Sequence, residues 1–383
     1  MVVEGTWRPA RAVVDRGAIT RNVARLCAAV SPAALCAVVK ANGYSHGALL
    51  AASAALDGGA AGLAVALVDE GIELREGGIT APILLLSEPS LSSFATCLEF
   101  NLTPTVATMA GALAAIAACE VVGGKNPVHL KIDTGMHRVG ASPEEALEIA
   151  KVLEASPTVA LEGCYTHFAV ADGDGEDDVA FTEAQIARFL SFVDALEAAG
   201  ITPPLLHAAN TAGALAYPAS RLTMVRCGIG IYGYEPSLAV KAVAPSNGLS
   251  HLEPAMALTA EVSAVHVVPD GARPSYGRRR PVTGTTTLAT VPLGYADGLP
   301  RRLFDAGFSV LIGGKRRPLA GSVTMDQIVV DCGTDEIEVG QEVVLLGMQS
   351  GEKITVDEWA TLLQTIHYEV LCAISARVPR RTK

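Results

Sequence analysis

Short apolar runs alternate with Ala-rich segments along the chain from about Ala34 to Gly233. The Ala-rich segments carry apolar residues at helical spacing, as Ala146, Ile149 and Leu153 illustrate. Continuous apolar strands that alternate with amphipathic helices are typical of βα units around a parallel sheet. Eight such units in about 200 residues predict a (β/α)8 barrel of the TIM type, with a doubly wound open sheet as the less regular alternative. The eight runs are Leu35–Val39, Gly62–Ala66, Ile83–Leu86, Thr103–Val106, Val128–Ile132, Leu161–Thr166, Leu205–Ala208 and Thr223–Val225.

The pattern changes after about Gly248, where apolar and polar residues alternate with a period of two. Leu258 and Ala260 alternate with Thr259 and Glu261, which predicts a half-buried strand. We therefore expect the barrel over residues 10–245 and a mostly antiparallel, β-rich domain over residues 246–383, which residues 1–9 join. The stretch Pro236–Pro254 is the expected linker. Further strand-like runs are Thr287–Pro292, Phe308–Ile312, Ile328–Val330 and Glu342–Leu346.

The composition narrows the class of protein. Half of the 383 residues are hydrophobic and only 18% are charged, which excludes a disordered chain. A net charge of −11 disfavours nucleic acids and anionic membranes as partners. The eight cysteines are scattered singly, as expected for buried thiols in a reducing compartment. The N-terminal segment lacks the apolar stretch of a signal peptide, and no apolar segment is long enough for a bilayer, so we expect a cytoplasmic protein.

Lys40 closes the first apolar run. In a (β/α)8 barrel, the chemistry takes place where the strands end. A lysine at such a strand end is partly desolvated, which lowers its pKa and favours an amine that forms imines. The structural alternative is a lysine that extends along apolar surface towards solvent. Position alone leaves both interpretations open.

Two loops near the end of the predicted barrel have the composition of a phosphate site. Asn210 and Thr211 follow the seventh run and open a helix, while Gly228 and Ile229 follow the eighth. Backbone N–H groups and a hydroxyl at these loops bind phosphate in many barrels, although ordinary helix capping is the alternative. The same glycines form a G-x-G-x-x-G pattern. No helical pattern follows it, and Asn247 stands where a dinucleotide site needs an acid, so a dehydrogenase is disfavoured.

The titratable residues do not predict a metal site. The histidines lack metal-ligand spacing, and the acidic segment Asp172–Asp178 has Asp177 where a calcium loop needs glycine. His167 and His207 lie at or near the ends of the sixth and seventh runs, and we expect both on the same barrel face as Lys40. Histidines that serve only the core are the alternative for each.

Several motifs resemble those of the alanine racemases. Residues 38–47, VVKANGYSHG, resemble the family's motif for the lysine that binds pyridoxal 5'-phosphate (PLP), with Gly43 and Ser45 where the family usually has Ala and Gly. The resemblance covers nearly the whole chain and implies a PLP-binding barrel followed by a β-rich C-terminal domain. The other matching segments, in family order, are Lys131–Gly140, Thr166–Phe168, His207–Thr211, Val225–Ile229, Pro274–Gly277, Gly294–Gly298, Met325–Gln327 and His367–Val370.

The resemblance also implies residue roles. Lys40 carries PLP covalently and is one of two bases, the other being Tyr276. Arg226 faces the pyridine nitrogen, and Lys131 is a possible carbamylated lysine that steadies Arg138. The implied cofactor-binding residues are Lys40, Tyr44, His167, Asn210, Thr211, Arg226, Gly228, Ile229 and Tyr368. The implied substrate-binding residues are Arg138, Met325, Asp326 and Tyr295.

The implied activity is the interconversion of L- and D-alanine, which supplies D-alanine for peptidoglycan. Lysine and tyrosine have ordinary pKa values of about 10, so both bases need burial or positive neighbours to act near pH 7. The resemblance further implies a homodimer in which Tyr276 enters the partner's site. A racemase of another small amino acid such as serine and a non-catalytic PLP-binding barrel are the alternatives. The motifs of the fold-related PLP decarboxylases of basic amino acids do not match.

Overall fold

The computed structural model describes residues 8–383 and divides them into two compact units. One unit comprises residues 17–43 and 48–253. The other comprises the described residues up to Arg16, residues 44–47 and residues 254–383.

The described residues form eighteen strands and twelve α-helices, besides seven short 3-10 helices. The strands are β1 (Ala10–Val14), β2 (Ala34–Val38), β3 (Gly62–Val65), β4 (Ile83–Leu85), β5 (Thr105–Val106), β6 (Asn126–Lys131), β7 (Val159–Tyr165), β8 (Leu205–His207), β9 (Met224–Cys227), β10 (Met256–Glu261), β11 (Ala264–Val268), β12 (Thr286–Val291), β13 (Ser309–Ile312), β14 (Lys315–Pro318), β15 (Ile328–Asp331), β16 (Glu342–Gln349), β17 (Glu352–Ile354) and β18 (Arg380–Thr382). The helices are α1 (Arg16–Val30), α2 (Lys40–Tyr44), α3 (Ala48–Asp57), α4 (Val68–Glu76), α5 (Phe94–Glu99), α6 (Met109–Val122), α7 (Pro143–Glu154), α8 (Glu176–Ala198), α9 (Thr211–Ala216), α10 (Leu238–Val243), α11 (Val356–Leu363) and α12 (His367–Ala373).

Strands β2 to β9 form the predicted parallel barrel. They pair in the orders β4-β3-β2-β9 and β5-β6-β7-β8. A parallel bridge from Leu84 to Thr103 joins β4 to β5, and Thr223 N–H donates to the Leu206 carbonyl between β9 and β8. Because β2 also pairs with β9, the first and last strands meet and the ring closes. Each of the eight predicted apolar runs overlaps one of these strands, which confirms the barrel.

The helices that surround the strands follow from local sequence. Helix α7 begins at a capping box, in which the Ser142 side chain accepts from the Glu145 N–H and the Glu145 carboxylate accepts from the Ser142 N–H. Its predicted apolar residues Ala146, Ile149 and Leu153 are all buried. In α8 the buried face instead includes a polar residue, Gln185, which contributes to the candidate site.

The stretch Pro236–Pro254, predicted as a linker, is itself folded, and its residues up to 253 belong to the barrel unit. Helix α10 lies inside this stretch, and Val240 and Leu249 are buried. The Asn247 side-chain amide donates to the Leu215 carbonyl over 2.7 Å, so the stretch packs on the barrel unit. Most of its other residues are exposed, so a few buried apolar side chains anchor the stretch.

The second unit is mostly antiparallel, as predicted. Its larger sheet has the order β14-β13-β16-β10-β1-β18, with β17 beside β16, and its smaller sheet has the order β11-β12-β15. Strand β1, which lies within the residues expected in the barrel, instead pairs with β10 through Ala10 opposite Ala260. Phe308 and Trp359 pack edge to face in its core. Within residues 8–383, every helix is too short or too polar to span a bilayer.

Candidate active site

The turn after strand β2 places Lys40 at the end of the barrel strand in an unusual backbone conformation. Ala41, Asn42 and Gly43 are left-handed, with φ values of 52°, 52° and 60°. This conformation costs a residue with a side chain about 1–2 kcal/mol. Glu70 accepts a hydrogen bond from the Ala41 N–H over 2.6 Å and so helps to hold the turn. Backbone strain of this kind is concentrated at functional sites.

Positive side chains converge on Lys131, which is buried in strand β6. Burial, followed by the positive charges of Arg226, Arg138 and Lys40, lowers the pKa of Lys131 to about 7. The Lys131 ammonium group donates to the Leu86 carbonyl over 2.9 Å. A cluster with this charge favours anionic groups such as a phosphate or a carboxylate.

Arg226 projects from strand β9 and is almost completely buried. Its Nη1 donates to His207 Nδ1 over 2.8 Å and to the His207 carbonyl over 2.9 Å. Its Nη2 donates to the carbonyls of Thr166 and Ala208 over 2.7 and 2.9 Å. Among the described residues, all of these bonds use Nη1 or Nη2 of Arg226, so its Nε–H can donate to another acceptor.

His167 and His207 are held neutral beside this arginine. Burial lowers the pKa of both histidines well below the ordinary range, and the charge of Arg226 adds to the effect. Since Arg226 donates to Nδ1 of His207, the proton of that ring lies on Nε2. His167 Nδ1 lies 3.4 Å from Arg226 Nη2. The structure therefore brings both histidines to the same group as Arg226.

The two predicted phosphate loops meet in the structure. The Gly228 N–H donates to Thr211 Oγ1 over 3.0 Å. A Cβ at Gly230 would lie 2.8 Å from Thr211 Cγ2, so this approach requires glycine. The backbone N–H groups of Ile229 and Gly230, at the start of a short turn, donate to no other residue within 8–383. The Asn210 side chain accepts from the Gly213 N–H and caps α9.

Gln185 is a buried polar residue that sequence reasoning missed. Its amide donates to Thr134 Oγ1 and to the His167 carbonyl, both over 3.1 Å. Thr134 in turn bonds Thr166 over 2.7 Å. Through Gln185, helix α8 thus fixes the loop that leads from Lys131 to Arg138. A glutamine one turn before the buried Phe189 and two turns before the buried Phe192 on the same helix was the available signal.

The remaining predicted residues lie in the second unit. The side chains of Tyr276, Tyr295, Met325 and Asp326 are all exposed. The Tyr295 N–H donates to the Thr324 carbonyl over 2.9 Å, which holds Tyr295 beside Met325. Arg377 donates to Asp326 over 2.6 Å.

Tyr276 follows Ser275, whose φ of 65° is left-handed and whose hydroxyl donates to the Ser322 carbonyl over 2.7 Å. Elsewhere in this unit, the rings of Tyr44 and Tyr368 lie 6.0 Å apart. The structure thus pairs two of the residues to which the resemblance assigns the phosphate.

Comparison with known proteins identifies the family. A family model described as the alanine racemase N-terminal domain matches residues 14–236, and one described as the C-terminal domain matches residues 255–382. The chain belongs to the alanine racemase family. Alanine racemase 2 of Bacillus subtilis is 44% identical over 349 residues, covering 90% of this chain and 86% of that protein.

Solved structures agree with this assignment. The crystal structure of alanine racemase from E.faecalis has a TM-score of 0.91 and 39% identity, and each chain is covered completely. Histidine racemase from Leuconostoc mesenteroides has a TM-score of 0.89 at 28% identity, with 99% of each chain covered.

The alanine racemase family is PLP-dependent, and the residues of this chain fit that cofactor. The unused Nε–H of Arg226 matches a ring nitrogen that accepts a hydrogen bond. The unused N–H groups of Ile229 and Gly230 match a phosphate.

Proposed function

We propose that this protein is a PLP-dependent racemase that interconverts L- and D-alanine. The observation that carries the proposal is the buried Arg226, which is fixed by three carbonyls and a neutral histidine among further positive side chains. Burial lowers the pKa of Arg226, but a guanidinium does not give up its proton in proteins. The arginine therefore leaves a cofactor ring nitrogen unprotonated, which curtails side reactions such as transamination.

The cofactor would be held by residues from both ends of the chain. Lys40 binds it covalently, and Arg226 faces its ring nitrogen beside His167. Tyr44, Thr211, Gly228, Ile229 and Tyr368 bind its phosphate, and Asn210 supports that site by capping α9. When bound, PLP withdraws electrons from the substrate and makes its α-proton acidic.

Two residues of this chain would move the proton. The Lys40 amine takes or returns the α-proton on one face of the substrate, and the Tyr276 hydroxyl does so on the other. Arg138 and the Met325 N–H bind the substrate carboxylate. Asp326 and Tyr295 line the entrance of the active site. Racemisation requires bases on both faces, so neither residue can replace the other.

Lys131 would act as a carbamate. With a pKa of about 7, much of its amine is neutral at physiological pH and can add CO2 with release of a proton. The resulting anion offsets the positive charges of Arg138 and Arg226 and steadies Arg138 for the substrate. This interpretation explains why the cluster of cations can persist in a buried place.

The alanine substrate is favoured over other small amino acids by the names of most relatives, although the histidine racemase shares the fold. We further propose a homodimer in which Tyr276 enters the partner's site. Its location is proposed as cytoplasmic, because all eight cysteines are free thiols. The D-alanine product would serve peptidoglycan synthesis.

Trapping of the cofactor by reduction tests the role of Lys40. Borohydride treatment of the protein with PLP should leave a stable pyridoxyl group on the peptide that contains Lys40. The Lys40→Ala variant should bear none there and should lose racemisation, whereas the exposed Lys151→Ala variant should behave as wild type. A pyridoxyl group fixed on another lysine of the wild-type protein would contradict the proposal.

Mixing of inactive chains tests the shared site. Lys40→Ala and Tyr276→Phe chains that exchange subunits form about half hetero-dimers, each with one intact site, so activity should approach about a quarter of wild type. No recovery after demonstrated exchange would show that both bases belong to one chain.

A further inference from the structure

Glu162 occupies a β-bulge in strand β7. Val128 pairs with Leu161 whereas His129 pairs with Gly163, so Glu162 is the extra residue of the ladder. A bulge changes the direction of a side chain and interrupts the regular alternation of a strand. The Glu162 carboxylate Oε2 lies 3.3 Å from Nε2 of the buried His129.

A continuous chain of hydrogen bonds joins this glutamate to the arginine of the candidate site. Arg226 donates to His207 Nδ1 over 2.8 Å, and His207 Nε2 lies 2.9 Å from His129 Nδ1. His129 Nε2 then faces Glu162. None of His207, His129 and Glu162 has a base role in the reaction proposed above.

The direction of this chain is determined by its two ends. Arg226 can only donate, so His207 carries its proton on Nε2 and donates to His129 Nδ1. His129 then carries its proton on Nε2 and donates to the Glu162 carboxylate, which can only accept. Without an acceptor at Glu162, the Nε2–H of His129 is left unpaired, so Arg226 alone then favours these tautomers over the opposite pair. The opposite tautomers would then put an N–H of His207 against the N–H of Arg226.

The surroundings hold the rings in place. A Cβ at residue 163 would lie 2.5 Å from the His129 ring, so Gly163 makes the space for that ring. Tyr165 stacks on His207 with ring centroids 4.6 Å apart and an angle of 8° between the planes. Glu162 lines a cavity of about 550 Å³ with Arg75, Asn101 and Thr103, which leaves its carboxylate partly solvated. The hydrogen bond to His129 lowers the pKa of Glu162, which keeps it ionised.

We propose that Glu162 and His129 are positioning residues, which fix the tautomer of His207 and thereby the guanidinium of Arg226. The inference rests on the proposed racemase, because it assigns a purpose to the position of Arg226. It predicts that a carboxylate outside the cofactor and substrate contacts influences turnover through two neutral imidazoles. Substrate affinity should change little, since neither residue touches the substrate.

Imidazole ¹⁵N spectra of the cofactor-free protein test the chain directly, because a protonated ring nitrogen and a bare one have distinct shifts. In the wild-type protein, His207 should show one tautomer with its proton on Nε2. In Glu162→Leu, which removes the acceptor at similar size, both tautomers of His207 should appear. Glu162→Gln retains an acceptor oxygen and should keep the single tautomer. The same Glu-to-Leu change at the exposed Glu154, at the end of α7, is the matched control.

Kinetics supply the second readout. Loss of a hydrogen bond to a charged group predicts a fall in kcat of about tenfold or more in Glu162→Leu, with KM within about twofold. Glu162→Gln should recover most of the loss, and Glu154→Leu should show none. If Glu162→Leu does not fold, Glu162→Asp withdraws the carboxylate from His129 and should give the same changes in weaker form.

Two results would overturn the inference. The first is a His207 tautomer that stays unchanged when Glu162 can no longer accept. The second is an equal loss of kcat in Glu162→Gln and Glu162→Leu. A wild-type protein that fails to racemise alanine, but whose His207 tautomer responds to Glu162→Leu, would contradict the proposed function and still support the hydrogen-bond chain.

Discussion

The Lys131 amine is expected to react with CO2 at a pH where ordinary lysines do not. Only a neutral amine adds CO2, forming an N–C bond and releasing one proton. With a pKa of about 7, roughly nine-tenths of the Lys131 side chain is neutral at pH 8. A lysine with the ordinary pKa of about 10.4 is less than about 1% neutral at that pH. The structure therefore predicts a carbamylation rate at Lys131 more than about a hundredfold above that of an exposed lysine of equal intrinsic reactivity.

Transfer of CO2-free, cofactor-free protein into ¹³C-labelled CO2 makes this rate measurable by ¹³C NMR. At a fixed concentration of dissolved CO2, the initial rate should be half-maximal near pH 7 and should level off above about pH 8. The signal should be absent in Lys131→Gln and unchanged in Lys151→Gln, which alters an exposed lysine on α7. A rate that still rises steeply between pH 9 and 10 would refute the claim that burial and the neighbouring cations keep this amine neutral.

Three further predictions concern the cofactor loops, the arginine and the buried histidines. Thr211→Val should leave the Gly228 N–H without its acceptor, cost about 1–3 kcal/mol of stability and weaken PLP binding, as urea unfolding and cofactor titration can check. Arg226→Glu should change the absorption spectrum of the bound cofactor and increase the keto-acid by-product; an unchanged spectrum and product ratio with PLP bound would place Arg226 elsewhere. The pKa values of His129, His167 and His207 are lowered in the folded state, so the unfolded state binds more protons below about pH 6.5. The free energy of unfolding should therefore keep the full contribution of these histidines above that pH and fall by up to about 4 kcal/mol per pH unit below it. Equal urea midpoints at pH 7.5 and 5.5 would be inconsistent with buried neutral rings.

The barrel could be predicted because each of its strands is a short apolar run between helical segments. The position of Lys40 followed from the same pattern, since strand ends mark one face of a barrel. The larger sheet of the second unit could be predicted for a similar reason. Leu258 and Ala260 alternate with polar residues and are buried in β10. The spacing of apolar residues was therefore enough to predict a strand or helix wherever that element depends only on its own local sequence.

Interactions between elements could not be predicted in the same way. Strand β1 joins the sheet of β10, a pairing between residues about 250 apart that no local pattern records. The stretch Pro236–Pro254 has a low apolar content, and only the packing of Val240 and Leu249 reveals that it is folded.

The contribution of Glu162 to the candidate site depends on a bulge that alternation alone would miss. A signal did exist for its neighbours. His129 and Lys131 alternate along β6, and Tyr165 and His167 alternate at the end of β7, so polar residues recur with a period of two on the inner face of the barrel.

The measurement that tests the central claim most directly is a chiral assay of the purified protein with PLP, begun separately from L-alanine and from D-alanine. Enantiomers have equal free energies, so both reactions should end at a one-to-one mixture. Neither should proceed in Lys40→Ala or Tyr276→Phe. Binding of PLP at Lys40 without appearance of the opposite enantiomer from either direction would contradict the account.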